Sequence, residues 1–578
     1  MNNTPNYNNK IQTLLAVEKP GERTCEISGQ TWEMDQYELD LYKRFNIPVS
    51  KRSPLTRIKN VTGFGYGLNF WWHKHALTGK PIITYVHPSS GLKVVSDAEF
   101  FEQDHTDKAT EYDPSKPFMD QIRALQLQVP YPAQRNIVAP ENSLTIASFG
   151  DENSYFTIGC KSKNTLYAIV SQDIENSAEI LHSNSITDSF RVVSSNRIFN
   201  GRSVYHSSDC MNSAFMFDCR NCENCFGSWN KRNKQYLWWN EQLSKEEWEK
   251  RRAEVDLGDQ AVFEKMRKRF EETVNTQAVW PENFNEHADN CVGEYLNKCR
   301  DCRYVYVGNN GPSDNFYGVY YSGQSERNAF MGGASDSQDN YSCHAPYRSK
   351  GCKFVHNCIN SQNLEYCIQC YDCENCFASV GLVRKKFCIF NKQYTESEYW
   401  KKLDELKYHL LETGEYGEFF PLSFSPSYVP LATNMVYLTT NKEQEALGAV
   451  LFDPDSDGAF GEGVNADVFA KPEEVDQSIG DIDTKELSKT VFMDTDEKRP
   501  FTLLAPEIEL YKKLNVFPKA EHPVSRMRKL MLSANSAVFE KAQCVQCKKE
   551  IEVAKNVTYQ NRKLHCRDCY LKDLEKNG

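Results

Sequence analysis

The sequence has no run approaching the roughly 20 consecutive apolar residues of a membrane span, so no membrane-spanning helix is expected. Its opening, Met1-Asn2-Asn3-Thr4-Pro5-Asn6-Tyr7, has neither a basic nor an apolar stretch. No secretory signal is therefore expected, and the reading is of a soluble, cytoplasmic protein. There is no phosphate-binding glycine loop, no G-x-S-x-G and no H-E-x-x-H. Carboxylates are plentiful, but none is singled out as a pair. These absences remove common signatures of nucleotide, ester and peptide hydrolysis, and the reading leans away from an enzyme.

Cysteine, by contrast, is abundant: the 578 residues include 21. An odd count in a reducing compartment argues against a disulfide framework. Metal ligation and burial as small core residues account for the thiols better. Charge is unevenly spread. Residues 498–578 carry 17 basic and 9 acidic side chains, a net +8, whereas the whole chain is −11, which leaves −19 for residues 1–497. A basic terminal module is thus attached to an acidic body, which bears on partners rather than on fold.

Two internal repeats organise the chain. At an offset of 469, the segment from Glu38 to Ile47 (ELDLYKRFNI) returns from Glu507 to Val516 (EIELYKKLNV). At an offset of 151, Cys219-x2-Cys222-x2-Cys225 returns as Cys370-x2-Cys373-x2-Cys376, and Asn240-x-Gln242 as Asn391-x-Gln393. Between the ends, Asn, Ser, Asp, Cys and aromatics alternate in short groups broken by turn formers, the texture of many very short strands. Cys343, Cys358 and Cys373 are spaced by 15, as are Cys352 and Cys367, and Cys210 and Cys225. A fixed short period suggests stacked coils with small residues in ladders inside. Ser244-x2-Glu247 and Thr395-x2-Glu398 read as capping boxes opening helices over 245–256 and 396–411, with a further helix over 259–274. These helices are expected to cover the coil ends, where bare strand edges would invite association.

The expected fold is mostly β with helical caps: a duplicated short-strand solenoid, β-helix-like, flanked by zinc-ribbon-like modules. Residues 1–20 are expected to be disordered, and residues 21–110 to form a degenerate ribbon-like module. Residues 137–282 and 283–411 are the two solenoid halves with their helices. A polar linker, 412–497, precedes the basic ribbon module, 498–578.

Cys544-x2-Cys547 and Cys566-x2-Cys569 have the paired spacing of a tetrahedral thiolate site, and four cysteines leave no position open for water. One structural zinc is expected there. The 469 offset places His75, Thr78 and, with a one-residue gap, Ser96 and Glu99 at the corresponding N-terminal positions. Thr78 and Ser96 are poor zinc ligands. The N-terminal copy is therefore expected to hold its shape by packing, through Phe64, Tyr66, Phe70, Trp71 and Trp72.

Three other patterns are weighed against blander readings. The C-x2-C-x2-C runs suggest an iron–sulfur cluster, but they lack the usual continuation, and ladder residues of the coil are the preferred reading. Asp453-Pro454-Asp455-Ser456-Asp457-Gly458 begins like a calcium loop, yet Val464 stands where a bidentate Glu belongs, so a solvated linker is preferred. Arg526, Arg528, Lys529, Lys548, Lys549, Arg562, Lys563 and Arg567 surround the zinc cysteines in sequence, and phosphate contact with RNA or DNA is open to them.

The segment from Asp218 to Gly227 (DCRNCENCFG), Asn391-Lys392-Gln393-Tyr394, the segment from Thr413 to Pro421 (TGEYGEFFP) and both terminal modules carry a further resemblance. Together they resemble a family of large, uncharacterised, cysteine-rich zinc-ribbon and repeat proteins of uncultivated small-genome bacteria. The resemblance spans nearly the whole chain and implies two Cys pairs in each terminal module. Here the first N-terminal pair survives as Cys25 with Ser28, and a Cys-Pro-x-Cys pair falls on Ser53 and Thr56, and on His522 and Ser525. The chain is thus similar to a cysteine-depleted member, and the resemblance implies no activity. The expected role is a non-enzymatic zinc-binding scaffold with a protein partner. The alternatives are a nucleic-acid- or ribosome-associated protein acting through 498–578, and a carbohydrate-active enzyme on the solenoid face.

Overall fold

The computed structural model describes residues 3–430, 436–451, 469–471, 475, 478–494 and 499–578. The chain forms two compact units, each discontinuous in sequence. The first joins Met1–Gln134 to Asn285–Phe452, and the second joins Arg135–Phe284 to Asp453–Gly578. Each unit therefore combines one chain end with one half of the middle. Among the described residues no helix is long and apolar enough to cross a membrane.

The middle is rich in short parallel strands. In the second unit Leu166, Ala178, Phe190, Arg202, Ala214 and Phe226 pair in succession, each 12 residues after the last. A second sheet pairs Gln172, Asn184, Asn196 and Ser208 at the same step. The first unit starts with steps of 11 and 13 at Val292, Arg303, Phe316 and Ala329, then settles to 12 through Tyr341 and Lys353 to Glu365. The period is thus 12 and not the 15 expected from the cysteines.

A smaller step explains the difference. Over residues 164–239 every third residue lies in the left-handed region, as at Asn164, Tyr167, Val170, Asp173 and Asn176. Among residues with a side chain, Asn and Asp tolerate that region best, which accounts for the polar texture of the sequence. The residue after each left-handed position turns inward. Ala168, Ile174, Ile180, Ile186, Val192, Ile198, Val204 and Cys210 line one buried core. Serines fill the intervening inward positions and form ladders: Ser183 N donates to Ser171 Oγ, Ser195 N to Ser183 Oγ and Ser207 N to Ser195 Oγ, at 3.0–3.1 Å. A buried hydroxyl needs such partners, and the 12-residue register supplies them. Any two inward residues are separated by a multiple of three here, so a spacing of 15 is one 12-residue step plus one side.

Each ladder ends in an antiparallel hairpin. Trp239-Asn240 and Phe390-Asn391 are two-residue turns with both φ angles positive, at 49° and 65° and at 47° and 63°. That is the twist a two-residue hairpin needs. The turn asparagine then satisfies the strand edge beside it. Asn240 accepts from Trp229 N at 3.0 Å, and Asn391 accepts from Val380 N at 2.8 Å. The repeated Asn-x-Gln is this stop. Helices follow at Lys245–Ala253, Gln260–Thr276 and Glu396–Thr413. The reciprocal capping box forms at Thr395 and Glu398. At Ser244 only the forward bond to Glu247 N forms, because the Glu247 carboxylate pairs with Arg251 at 2.9 Å.

The chain ends share one element order. Helix Gln36–Phe45, helix Pro54–Thr62, hairpin Trp71–Lys74/Pro81–Thr84, strand Val94–Val95 and helix Asp97–Glu102 follow one another in the first unit. Helix Ala505–Leu514, helix Pro523–Ser533, hairpin Phe539–Gln543/Glu550–Ala554, strand Lys563–His565 and helix Arg567–Asn577 repeat them in the second.

Two expectations are corrected. Disorder through residues 1–20 does not hold for the described residues: Pro5–Ala16 is a helix whose Tyr7, Ile11 and Leu15, four apart, are buried. Asp404, on Glu396–Thr413, accepts from Tyr7 N at 2.8 Å and Asn6 N at 3.1 Å. Residues 412–497 are not simply a linker. Phe419, Phe420, Leu422 and Phe424 are buried, and Phe419 meets Phe64 edge to face at 5.0 Å. The candidate calcium loop beginning at Asp453 lies outside the described residues.

Candidate metal centre

Hairpin Phe539–Gln543/Glu550–Ala554 presents Cys544 and Cys547 in its turn. The turn closes through Cys544 N to Lys549 O and Lys548 N to Cys544 O, both 2.9 Å, with Lys548 left-handed at φ 64°. Cys566 caps the N-terminus of helix Arg567–Asn577, and Cys569 lies in its first turn. Val545 N donates to Leu564 O at 2.8 Å and fixes the two halves together. The four sulfurs lie within 4.8 Å of one another, and Cys547 and Cys566 are 3.6 Å apart. A tetrahedron of sulfurs with Zn–S bonds of about 2.3 Å has edges of about 3.8 Å, so the arrangement fits a four-thiolate ion. Cys544, Cys566 and Cys569 are buried with Ile551 and Val553, and Cys547 is exposed.

The thiols are not electrostatically alike. Burial raises Cys544, but N–H groups of Cys547, Cys566 and Gln546 outweigh it and bring the thiol down to about 6. Burial and the neighbouring thiols push Cys569 up to about 12. Four thiolates so close repel one another, and a dication among them offsets that repulsion. Among the described residues no other group of three or more His, Cys, Asp or Glu side chains gathers in this way.

The N-terminal copy shows what replaces the sulfurs. His75 occupies the place of Cys544, and its Nδ1 accepts from Leu77 N and Thr78 N, both at 3.3 Å. Those N–H groups correspond to Gln546 and Cys547, which act on Cys544. His75 Nε2 lies 2.7 Å from Glu99 Oε2, and Ser96 Oγ donates to the same oxygen at 2.6 Å. Ser96 first, and then His75, hold the Glu99 carboxyl down to about 2. The four corresponding positions thus form a hydrogen-bonded cluster. The sequence signal was Ser96-x2-Glu99, a capping box that forms in full. Packing alone does not hold this copy: Phe64 and Trp71 are buried, but Trp72 is 71% exposed. A second small polar cluster lies nearer the N-terminus, with Cys25 Sγ 3.4 Å from Thr56 Oγ1 and Ser53 Oγ 2.9 Å from the same atom.

The C-x2-C-x2-C thiols point into the two cores and are buried. Each donates to a carbonyl nine residues on: Cys219 to Ser228 O, Cys225 to Lys234 O, Cys370 to Ser379 O and Cys373 to Leu382 O, at 3.4–3.7 Å. Ser195 makes the same bond to Val204 O at 3.5 Å, so cysteine stands in for serine in the ladders. Burial pushes Cys343, a core thiol outside these runs, up to about 12, whereas hydrogen bonds from the neighbouring Cys210, Cys219 and Cys225 pull Cys222 down.

The basic residues near the metal centre divide. Arg526 is corrected as a nucleic-acid contact: it is 2% exposed, bonds Glu507 Oε1 at 2.6 Å and the Tyr511 hydroxyl, and lies over the Tyr167 ring at 4.6 Å. Arg562 is also engaged within the fold, donating to Asn535 Oδ1 at 2.7 Å and Ala554 O at 2.5 Å. Arg528 is half-buried, and Lys529 pairs with Glu521 at 3.1 Å. Lys548, Lys549, Lys563 and Arg567 are exposed. Sequence reasoning missed the arginine network, although Glu38, Tyr42 and Arg57 recur as Glu507, Tyr511 and Arg526 at the 469 offset. Comparison with protein-family models, curated proteins and solved structures gives no match.

Proposed function

We propose that the protein is a non-enzymatic zinc-binding scaffold. Its body is a duplicated solenoid, and of its two ribbon-like ends the C-terminal one carries the metal. The closed set of Cys544, Cys547, Cys566 and Cys569 carries this reading. An all-thiolate tetrahedron selects zinc over hard cations and leaves no position for a reacting water, so the ion holds the module together. Parallel pairing at 12-residue steps, with inward ladders of Ser, Cys and Ile, supports the solenoid. Its regular faces suit a protein partner. Kinship with the cysteine-rich zinc-ribbon family belongs to the same proposal. Metal analysis of the purified full chain tests it: about one zinc per chain is expected, with Cys566→Ser losing it. No bound zinc, or two or more per chain, would overturn the assignment.

A further inference from the structure

A cleft of about 310 Å³ opens in the second unit between the strand ladder, helix Lys245–Ala253 and the C-terminal end of helix Ala505–Leu514. Arg202, Ala214, Trp248, Arg252, Lys513 and Asn515 line it. Arg202 comes from the ladder, and its guanidinium is fixed by three carbonyls: Nε donates to Leu514 O at 2.8 Å, and Nη1 to Asp188 O and Gly201 O at 2.8 and 2.9 Å. Arg252 donates to Val255 O at 2.6 Å. Among the described residues neither guanidinium makes an ion pair. Asp256 acts on Arg252 only from beyond ion-pair distance, and its carboxylate accepts from Gly258 N at 2.9 Å and Asn515 Nδ2 at 3.2 Å. Lys513 adds a third cation, with Asp188 at 2.7 Å.

The first unit shows how the same place is neutralised. The 151 offset puts Lys353 where Arg202 stands and Glu365 where Ala214 stands. The correspondence holds in space, because Lys353 pairs with Glu365 as Arg202 pairs with Ala214, one step along the ladder. Glu365 bonds Lys353 at 3.2 Å and Lys407 at 2.9 Å, and accepts from the Tyr416 hydroxyl at 2.6 Å. Helix Pro5–Ala16 then fills the space, with Tyr7 OH on Asn46 O at 2.5 Å and Lys407 over the Tyr7 ring at 3.9 Å. In the second unit the carboxylate is a methyl group, and the cations remain. Burial, and then Arg252, push Arg202 down to about 10 against the opposing pull of Asp188, so the one nearby carboxylate, which pairs with Lys513, does not offset the crowding of three cations.

We propose that this cleft binds a small phosphorylated ligand, its phosphate held by Arg202, Arg252 and Lys513. Beyond the carbonyls they bond, Arg202 offers Nη2 and Arg252 offers Nε and Nη2, and with the Lys513 ammonium these donors match a compact, tetrahedral dianion better than a single carboxylate. Trp248 and Phe226 offer an apolar wall to the remainder of the ligand.

Calorimetric titration of the full chain with inorganic phosphate at low ionic strength, with acetate as the monoanion comparison, tests the site. Phosphate is expected to saturate and acetate to bind at least about tenfold more weakly. Ala214→Glu, which installs the first unit's carboxylate, is expected to abolish binding. Arg252→Gln, on a half-exposed helix face, is expected to weaken it at least about tenfold, the worth of one charge-assisted contact. Lys548→Gln with Lys549→Gln is expected to leave it unchanged. No saturable phosphate binding, equal binding of acetate, or phosphate binding unaltered by Arg252→Gln would overturn the proposal.

Discussion

Arg57 and Arg526 occupy equivalent places in the two units and do the same physical work. Arg57 bonds the Tyr42 hydroxyl at 2.7 Å, pairs with Glu38 at 3.4 Å and lies 3.6 Å over the Phe330 ring. Arg526 repeats this with Tyr511, Glu507 and Tyr167. In each case an arginine from the terminal module is buried against the strand ladder of its own unit. Burial of the Glu38 carboxyl raises its pKa despite Arg57 opposite. Removing one partner leaves the other charge uncompensated, whereas removing both removes the desolvation cost as well. Arg526 also pairs with the buried Glu179 at 3.7 Å, a carboxylate that Arg191 holds as well at 2.9 Å. Arg526→Ala is therefore expected to destabilise by roughly 3–5 kcal/mol in urea denaturation, and Arg526→Met with Glu507→Leu by less, because Glu179 keeps Arg191. A double variant as unstable as the single one would refute this account. The sequence contained both triads at one offset, yet Arg526 read as a surface cation. Charge counts do not reveal burial, and the partner Tyr167 lies 359 positions away in the chain.

At the scale of the element, the hairpin stops are the most legible feature. Asn240-x-Gln242 and Asn391-x-Gln393 were visible as a repeat, and their meaning is geometric: a left-handed turn residue whose amide also closes the strand edge. Asn391 makes three bonds, accepting from Val380 N and donating to Val380 O at 2.8 Å and His105 O at 3.0 Å. Asn391→Ala is expected to cost roughly 2–4 kcal/mol, from left-handed strain of about 1–2 kcal/mol and the lost bonds. Asn391→Gly keeps the turn and is expected to cost about half as much, since only the bonds are lost. Equal destabilisation of the two variants, read from their melting curves, would show that the turn carries no strain. The 12-residue register was less legible. Inward positions accept Cys, Ser, Ile or Val alike, so the cysteines mark which side of the ladder they occupy without marking the step. The N-terminal helix was hidden for a related reason. Its apolar face is only Tyr7, Ile11 and Leu15, spread through a polar, Asn-rich stretch, and its partner helix begins almost 400 residues later.

For the molecule as a whole, duplication provides two terminal modules with one element order and different means of closure. The C-terminal module gathers four thiols, and zinc binding to such a set is worth roughly 10–16 kcal/mol at neutral pH, free energy that is also folding energy. The N-terminal module closes the same turn with His75, Ser96 and Glu99, which need no ion. A strong chelator should therefore act on one module alone. Strand Lys563–His565 pairs with Val279–Pro281 of the same unit, so loss of the metal is transmitted to that strand as well. In hydrogen exchange on the zinc-loaded full chain, chelation is expected to remove protection from Phe539–Gln543, Glu550–Ala554, Lys563–His565 and Val279–Pro281. Trp71–Lys74 and Pro81–Thr84 are expected to stay protected, because the bonds that close their turn are unchanged. Equal loss in both hairpins, or in neither, would mean that the thiol cluster does not hold its module through a metal.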